Sequence, residues 1–236
     1  LFKSLDAELA IVVAYGKILP DELLHTPKYG CINMHASLLP KLRGAAPIQW
    51  AVITGEKRTG VTSMQMDAGI DTGDMLLSKS VDIGENETAE ELHDRLSVLG
   101  AEVMRETISA LQAGELHPVK QDDKQSTHAP ILTKELSKID WNDTAQHIHD
   151  KIRGLYSWPG ATCEFKGKVI KIHSSRLAGE CGGKPGEVSE SDKRLVVCCG
   201  DGNAVEILVL QAPGKRAMPA GDFLRGNPIE KGAFFE

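Results

Sequence analysis

The chain has 236 residues, 41% of them hydrophobic and 25% charged, with a net charge of −6. That balance makes no case for disorder, does not by itself decide for or against nucleic acid, and allows one large domain or two smaller ones with a real core. No apolar run is long enough to span a bilayer, and the first residues lack the basic-then-apolar pattern of a secretory signal, so the expected location is the cytoplasm, or an organellar matrix if the source is eukaryotic.

The charge is shared unevenly: residues 1–136 carry 13 Lys and Arg against 20 Asp and Glu, and residues 137–236 carry 14 against 13. The five cysteines, Cys31, Cys163, Cys181, Cys198 and Cys199, form no Cys-x-x-Cys pair and are expected to be reduced core residues.

In chain order, Leu9 to Tyr15 is an unalternating apolar run that predicts a central parallel strand buried on both faces. A short helix follows Pro20, with Asp21 and Glu22 in its first turn. The run from Cys31 to His35 predicts a strand that aims Asn33 and His35 at one face, followed by a turn over Ser37 to Pro40. Ala45 to Thr54, with Pro47 near its start and Gly55 beyond its end, predicts a helix. Gly60 to Met66 alternates as a strand leading into a loop with Asp67, Asp71 and Asp74 around Gly69 and Gly73, and Met75 to Val81 predicts another strand.

Thr88 with Glu91 has the spacing of a capping box, and Leu92, Leu96, Leu99, Val103, Ile108 and Leu111 give the stripe of the longest helix, ended by Gly114. Alternating strands and helices predict an α/β fold with a mainly parallel sheet, whose ligand lies at the carboxyl ends of the strands.

Periodicity lapses from Leu116 to Leu136. The division this predicts is a catalytic domain over 1–117, a linker over 118–136 and a second domain over 137–236. The second domain opens with a helix capped by Asp143 or Thr144 that turns Ile148, Ile152 and Leu155 inward. Short strands with glycine turns follow, including a hairpin about Lys166-Gly167-Lys168, which predicts a small all-β barrel or sandwich. His147 and His149 do not share a helix face and read as solvated rather than metal-binding. Lys166, Lys168, Lys215 and Arg216 either touch phosphates or solvate turns.

Asn33-x-His35-x-Ser37-Leu38-Leu39-Pro40 followed by Asp71-Thr72-Gly73 resembles the signature of the 10-formyltetrahydrofolate-dependent formyltransferases. Arg43-Gly44-Ala45-Ala46-Pro47-Ile48-Gln49, Met64-Gln65-Met66-Asp67, Ile139-Asp140-Trp141 and Trp158-Pro159 resemble the methionyl-tRNA formyltransferase family in particular, along nearly the whole chain. The resemblance implies a Rossmann-like domain and a C-terminal OB-like barrel that binds tRNA. It also implies a first strand, a glycine-bearing loop and a basic loop for the tRNA acceptor end, none of which lies within the sequence from Leu1 onward. A quarter to a third of the family's length is therefore expected to be missing at the N-terminus.

The expected activity is transfer of a formyl group to the α-amino group of initiator methionyl-tRNA, by a monomer without metal or membrane. Its expected catalytic set is Asn33, His35 and Asp71. Asn33 and protonated His35 are expected to stabilise an oxyanion, while Asp71 favours the imidazolium and relays the amine proton. The folate pocket implied by the resemblance comprises Ile18, Leu19, Ser37, Leu38, Leu39, Pro40 and Asp67. The alternatives are another folate-dependent formyltransferase or hydrolase, acting on a sugar amine or glycinamide ribonucleotide, and an inactive RNA-binding fragment.

Overall fold

The computed structural model describes residues 2–236, which divide into two compact units. The first is made of residues 2–51, Lys57–Ile83 and Glu91–Ile131, and the second of Val52–Glu56, Gly84–Glu90 and Leu132–Glu236.

The first unit is built on a four-stranded sheet in the order β1 (Ala10–Val13), β2 (Cys31–His35), β4 (Arg58–Gln65), β5 (Met75–Asp82). Only β1 and β2 run parallel; β2 with β4 and β4 with β5 are antiparallel. The expected mainly parallel sheet is therefore a mixed one. Sequence alternation reports which face a residue takes and is blind to strand direction.

The expectation of a β1 buried on both faces is also corrected. It is an edge strand among the described residues, with Ile11 46% and Val13 59% exposed. Helix α1 (Asp21–Leu24) and helix α2 (Pro47–Ile53) flank β2 in sequence. Helix α3 (Ala89–Ala113) buries Leu92, Leu96 and Val103, and its buried Thr107 hydroxyl meets that of Ser63 on β4 at 2.7 Å.

The segment over 118–136 is ordered. Val119 and Met75 exchange backbone hydrogen bonds of 2.9 Å. A second small sheet pairs β3 (Arg43–Gly44) in parallel with β6 (His128–Ala129).

In the second unit, α4 (Ala145–Gly154) starts at Thr144, whose hydroxyl accepts from the His147 amide at 3.1 Å. Ile148 and Ile152, four residues apart, and Leu155 just beyond the helix are all buried, as their spacing predicts. The sheet runs β7 (Ala161–Phe165), β8 (Lys168–Glu180), β11 (Asn203–Gln211), β10 (Leu195–Cys198), β9 (Val188–Glu190), with β12 (Met218–Pro219) on β11, and α5 (Ala220–Gly226) follows. All these pairings are antiparallel, and the named strands by themselves form a sheet with edges at β7 and β9 that is not closed, where a closed barrel was expected. Residues 232–236 lie along both edges: Glu236 and Glu164 of β7 exchange backbone hydrogen bonds of 2.7 and 2.9 Å, and Val188 of β9 donates to the Ala233 carbonyl at 2.8 Å.

The β7–β8 hairpin turns through Lys166 and Gly167 at φ +49° and +73°, the left-handed pair that suits the twist of antiparallel strands. Cys181 and Cys198 are joined as a disulfide across a Cα separation of 5.6 Å, which corrects the expectation of five reduced thiols. Cys31, Cys163 and Cys199 are free and buried, and burial pushes the Cys163 thiol up to about 12.

Candidate active site

Strand β2 places Asn33 and His35 on one face because successive side chains alternate. His35 is 5% exposed. Its Nε2 lies 2.9 Å from the carbonyl oxygen of Leu42, which can only accept, so Nε2 carries hydrogen and donates. That fixes the ring with Nδ1 turned to Asp71 Oδ2 at 3.6 Å. The same Oδ2 accepts from the Gly44 amide at 2.8 Å. Among the described residues the Asn33 amide has no side-chain hydrogen-bond partner, which leaves its N–H groups for a bound molecule. Cys31 shares the face, but burial raises its thiol above the ordinary value and it points to the Leu23 carbonyl at 3.6 Å, so it is no thiolate nucleophile.

Asp71 arrives by a route the sequence does not suggest. Because β4 is antiparallel to β2, Gln65 pairs with Ile32 while Thr62 pairs with His35. The loop after Gln65 therefore leaves at the start of β2, away from its carboxyl end, and doubles back to reach His35. Asp71 takes φ +53°, a left-handed conformation that short polar side chains tolerate best. Asp67 anchors the loop: its Oδ1 accepts from the Gly69 amide at 3.0 Å and the Thr72 hydroxyl at 2.7 Å. Gly73 passes so close to the Gln65 carbonyl that any Cβ would collide with it.

The expected folate-pocket residues fall into two groups. Ile18 and Leu19 follow β1 at the end of the parallel pair where His35 lies, since Val13 pairs with Met34, and Ile18 is 79% exposed. Ser37 to Pro40 form a turn packed against β4. Ser37 is buried and its hydroxyl donates to the Lys41 carbonyl at 2.6 Å; Leu39 is buried, while Leu38 and Pro40 are half-buried. Leu38 lies over Gly60, where an added Cβ would come 2.6 Å from its Cδ2.

Three contributors lie where the sequence predicts a linker. Thr127 accepts from the Leu42 amide through its hydroxyl at 2.9 Å and from the Arg43 amide through its carbonyl at 2.9 Å. Gln121 is buried and bonded to Asp71, Gly73 and Arg43. Asp123 pairs with Arg43 at 2.9 Å. No periodicity marks them; the one signal is that Arg43 and Gly44 belong to the matching motif and need partners.

Outside this site, His147 is exposed and paired with Asp143, as a solvated helix predicts. His149 corrects the same expectation: it is 3% exposed, with Nδ1 2.9 Å from the Ser175 hydroxyl and Nε2 3.1 Å from the Glu85 carbonyl. No group of three or more potential metal ligands occurs among the described residues. No helix among them is long and apolar enough to cross a membrane.

An imidazole held between a carbonyl and a carboxylate, beside an amide on the same strand, can stabilise negative charge that develops on a bound molecule. The chain matches the family described as Formyl transferase over residues 1–108 and its C-terminal domain over residues 131–228. It is 50% identical over 99% of its length to the methionyl-tRNA formyltransferase of Caldanaerobacter subterraneus subsp. tengcongensis, covering 76% of that protein. It is 49% identical to that of Geobacter metallireducens over 98% of this chain and 74% of the relative. The fold is similar to that of HypX from Aquifex aeolicus, solved with tetrahydrofolic acid, with a TM-score of 0.70 and 23% identity over 97% of this chain and 42% of the other. These matches define a formyltransferase. Within that class, the chain belongs to the methionyl-tRNA formyltransferase family.

Proposed function

We propose that the protein transfers the formyl group of 10-formyltetrahydrofolate to the α-amino group of initiator methionyl-tRNA. The observation that carries this reading is the approach of Asp71 Oδ2 to His35 Nδ1 at 3.6 Å, in a chain half identical to named methionyl-tRNA formyltransferases along almost its whole length.

In this reading the amine attacks the formyl carbon, the carbonyl oxygen takes up negative charge, and the bond from carbon to the folate N10 breaks as N10 gains a proton. The Asn33 amide donates to the oxyanion, and one such donor is typically worth about 2.7–4 kcal/mol of barrier. The positive charge of the His35 imidazolium, whose Nε2 is held by Leu42 and whose Nδ1 faces Asp71, stabilises the oxyanion through space. Asp71, fixed by the Gly44 amide, holds the imidazolium and relays the amine's proton through water. Folate occupies the region of Ile18, Leu19 and the turn over Ser37 to Pro40, with Asp67 shaping the loop above it. No covalent enzyme intermediate is needed.

Residues 1–117 supply the catalysis and residues 137–236 the tRNA-binding surface, where Lys166, Lys168, Lys215 and Arg216 are exposed. Such a reaction belongs in the cytoplasm, where translation begins.

The test incubates the full-length protein with 10-formyltetrahydrofolate carrying a labelled formyl group, offering either methionyl-tRNA or small amines. Label is expected on methionyl-tRNA, and His35→Ala and Asp71→Ala are each expected to cut turnover by about 100-fold or more. Label on a small sugar amine and none on tRNA overturns the substrate; undiminished turnover in either variant overturns the mechanism.

A further inference from the structure

Gln121 is 5% exposed although both its neighbours, Lys120 and Asp122, are exposed. A primary amide offers two N–H donors and a carbonyl acceptor, and here both ends of the group are engaged. Its Nε2 donates to the Asp71 carbonyl at 2.9 Å and the Gly73 carbonyl at 2.7 Å. Its Oε1 accepts from Arg43 Nε at 2.9 Å. The two carbonyls bracket Thr72, so one amide clamps the turn that keeps Asp71 at φ +53°.

On its other side, Arg43 immediately precedes Gly44, whose amide binds the Asp71 carboxylate. The same group therefore sits behind the Asp71 backbone and beside the strand that grips the Asp71 side chain.

We propose that Gln121 is a positioning residue for formyl transfer, setting the distance and direction of the Asp71 carboxylate toward His35; this rests on the role given to Asp71 above. Gln121 touches neither substrate nor reacting atoms, so its effect passes through Asp71. A displacement of about 1 Å at a catalytic group can cost about 100-fold in rate.

Two variants separate positioning from folding. Gln121→Met keeps the length of the side chain and removes every hydrogen bond. Gln121→Glu keeps the volume and an oxygen for Arg43, but turns an acceptor toward two carbonyls. In the full-length protein with methionyl-tRNA, each folded variant is expected to lose about 100-fold in kcat. KM for either substrate stays within about threefold, because binding groups are untouched.

The deciding measurement is the double variant Gln121→Met with Asp71→Ala, expected to be no slower than Asp71→Ala alone, since a residue acting through Asp71 has nothing left to act through. Losses that multiply overturn the proposal, as does full kcat in a folded Gln121→Met; if that variant does not fold, Gln121→Glu decides by the same two criteria. Should wild type formylate a small amine in place of methionyl-tRNA, the substrate reading falls while the same series on that amine still decides Gln121. Undiminished activity of Asp71→Ala removes both.

Discussion

Thr62 fastens Ser37 from the middle of β4: its hydroxyl donates to the Ser37 carbonyl at 2.7 Å while accepting from the Leu39 amide at 3.3 Å. One side chain with no exposed surface thus satisfies both limbs of the turn that follows His35. Thr62→Val keeps the shape and strands a buried carbonyl and a buried amide, at a cost of about 1–3 kcal/mol. Thr62→Ser retains the hydroxyl and is expected to lose less. Urea unfolding followed by a probe in the first unit checks the order; equal losses in the two variants would show that the methyl group matters and the hydroxyl does not.

Gly73 is expected to tolerate no side chain. The Cβ of Gly73→Ala collides with the Gln65 carbonyl, which belongs to the β4 backbone and cannot yield cheaply. The loop moves instead, and Asp71 moves with it, so turnover is expected to fall by about 100-fold while KM for folate changes little. Steady-state kinetics decide this; an Ala variant with wild-type kcat would mean that Asp71 does not depend on the loop's path.

The legible parts of this chain are those governed by local spacing. Asn33 and His35 share a face because a strand alternates, Ile148 and Ile152 turn inward because a helix repeats, and Lys166-Gly167 makes the hairpin turn because a left-handed pair is required there. The illegible parts depend on partners distant in sequence. An apolar run such as Ala10 to Val13 has the same composition in the centre of a sheet as at its edge. The alternation from Gly60 to Met66 says nothing about direction, so the mixed sheet and the return path of Asp71 stayed hidden. Gln121 sits in an aperiodic polar stretch, and its role shows only in what it touches.

Arg153 and Asp150 form a buried pair in the second unit, each at most 5% exposed on its side chain, with Arg153 Nε 2.7 Å from Asp150 Oδ1. Arg153 Nη1 also donates to the carbonyl of Glu87 at 2.9 Å. Arg153→Met leaves the buried Asp150 carboxylate without its cationic partner, with only the Gln146 amide still donating to it at 3.0 Å, and is expected to cost about 3–5 kcal/mol. Replacing both, Asp150→Leu with Arg153→Met, removes the orphaned charge and is expected to recover part of that loss. Chemical unfolding of the two variants tests the pair; a double variant less stable than Arg153→Met would show that the ion pair itself, and not the stranded charge, dominates.

His149 gives the second unit a pH dependence whose sign follows from its burial. Burial lowers its pKa below the ordinary 6.5, because the charged ring would lose its water. The unfolded chain then takes up the proton near 6.5 while the folded chain resists it. Unfolded molecules bind more protons over that window, so stability rises with pH there and falls as the solution is acidified below 6.5. The loss is at most about 1.4 kcal/mol per pH unit for a single group, and it stops once the folded ring is also protonated. His149→Gln keeps an amide for the Ser175 hydroxyl and the Glu85 carbonyl but cannot titrate. Its unfolding midpoint in urea is therefore expected to fall less steeply than that of wild type between pH 7.5 and pH 5.5, on the order of the single-group slope. Parallel slopes for the two proteins would mean that the imidazole is as easily protonated in the folded unit as in the unfolded chain.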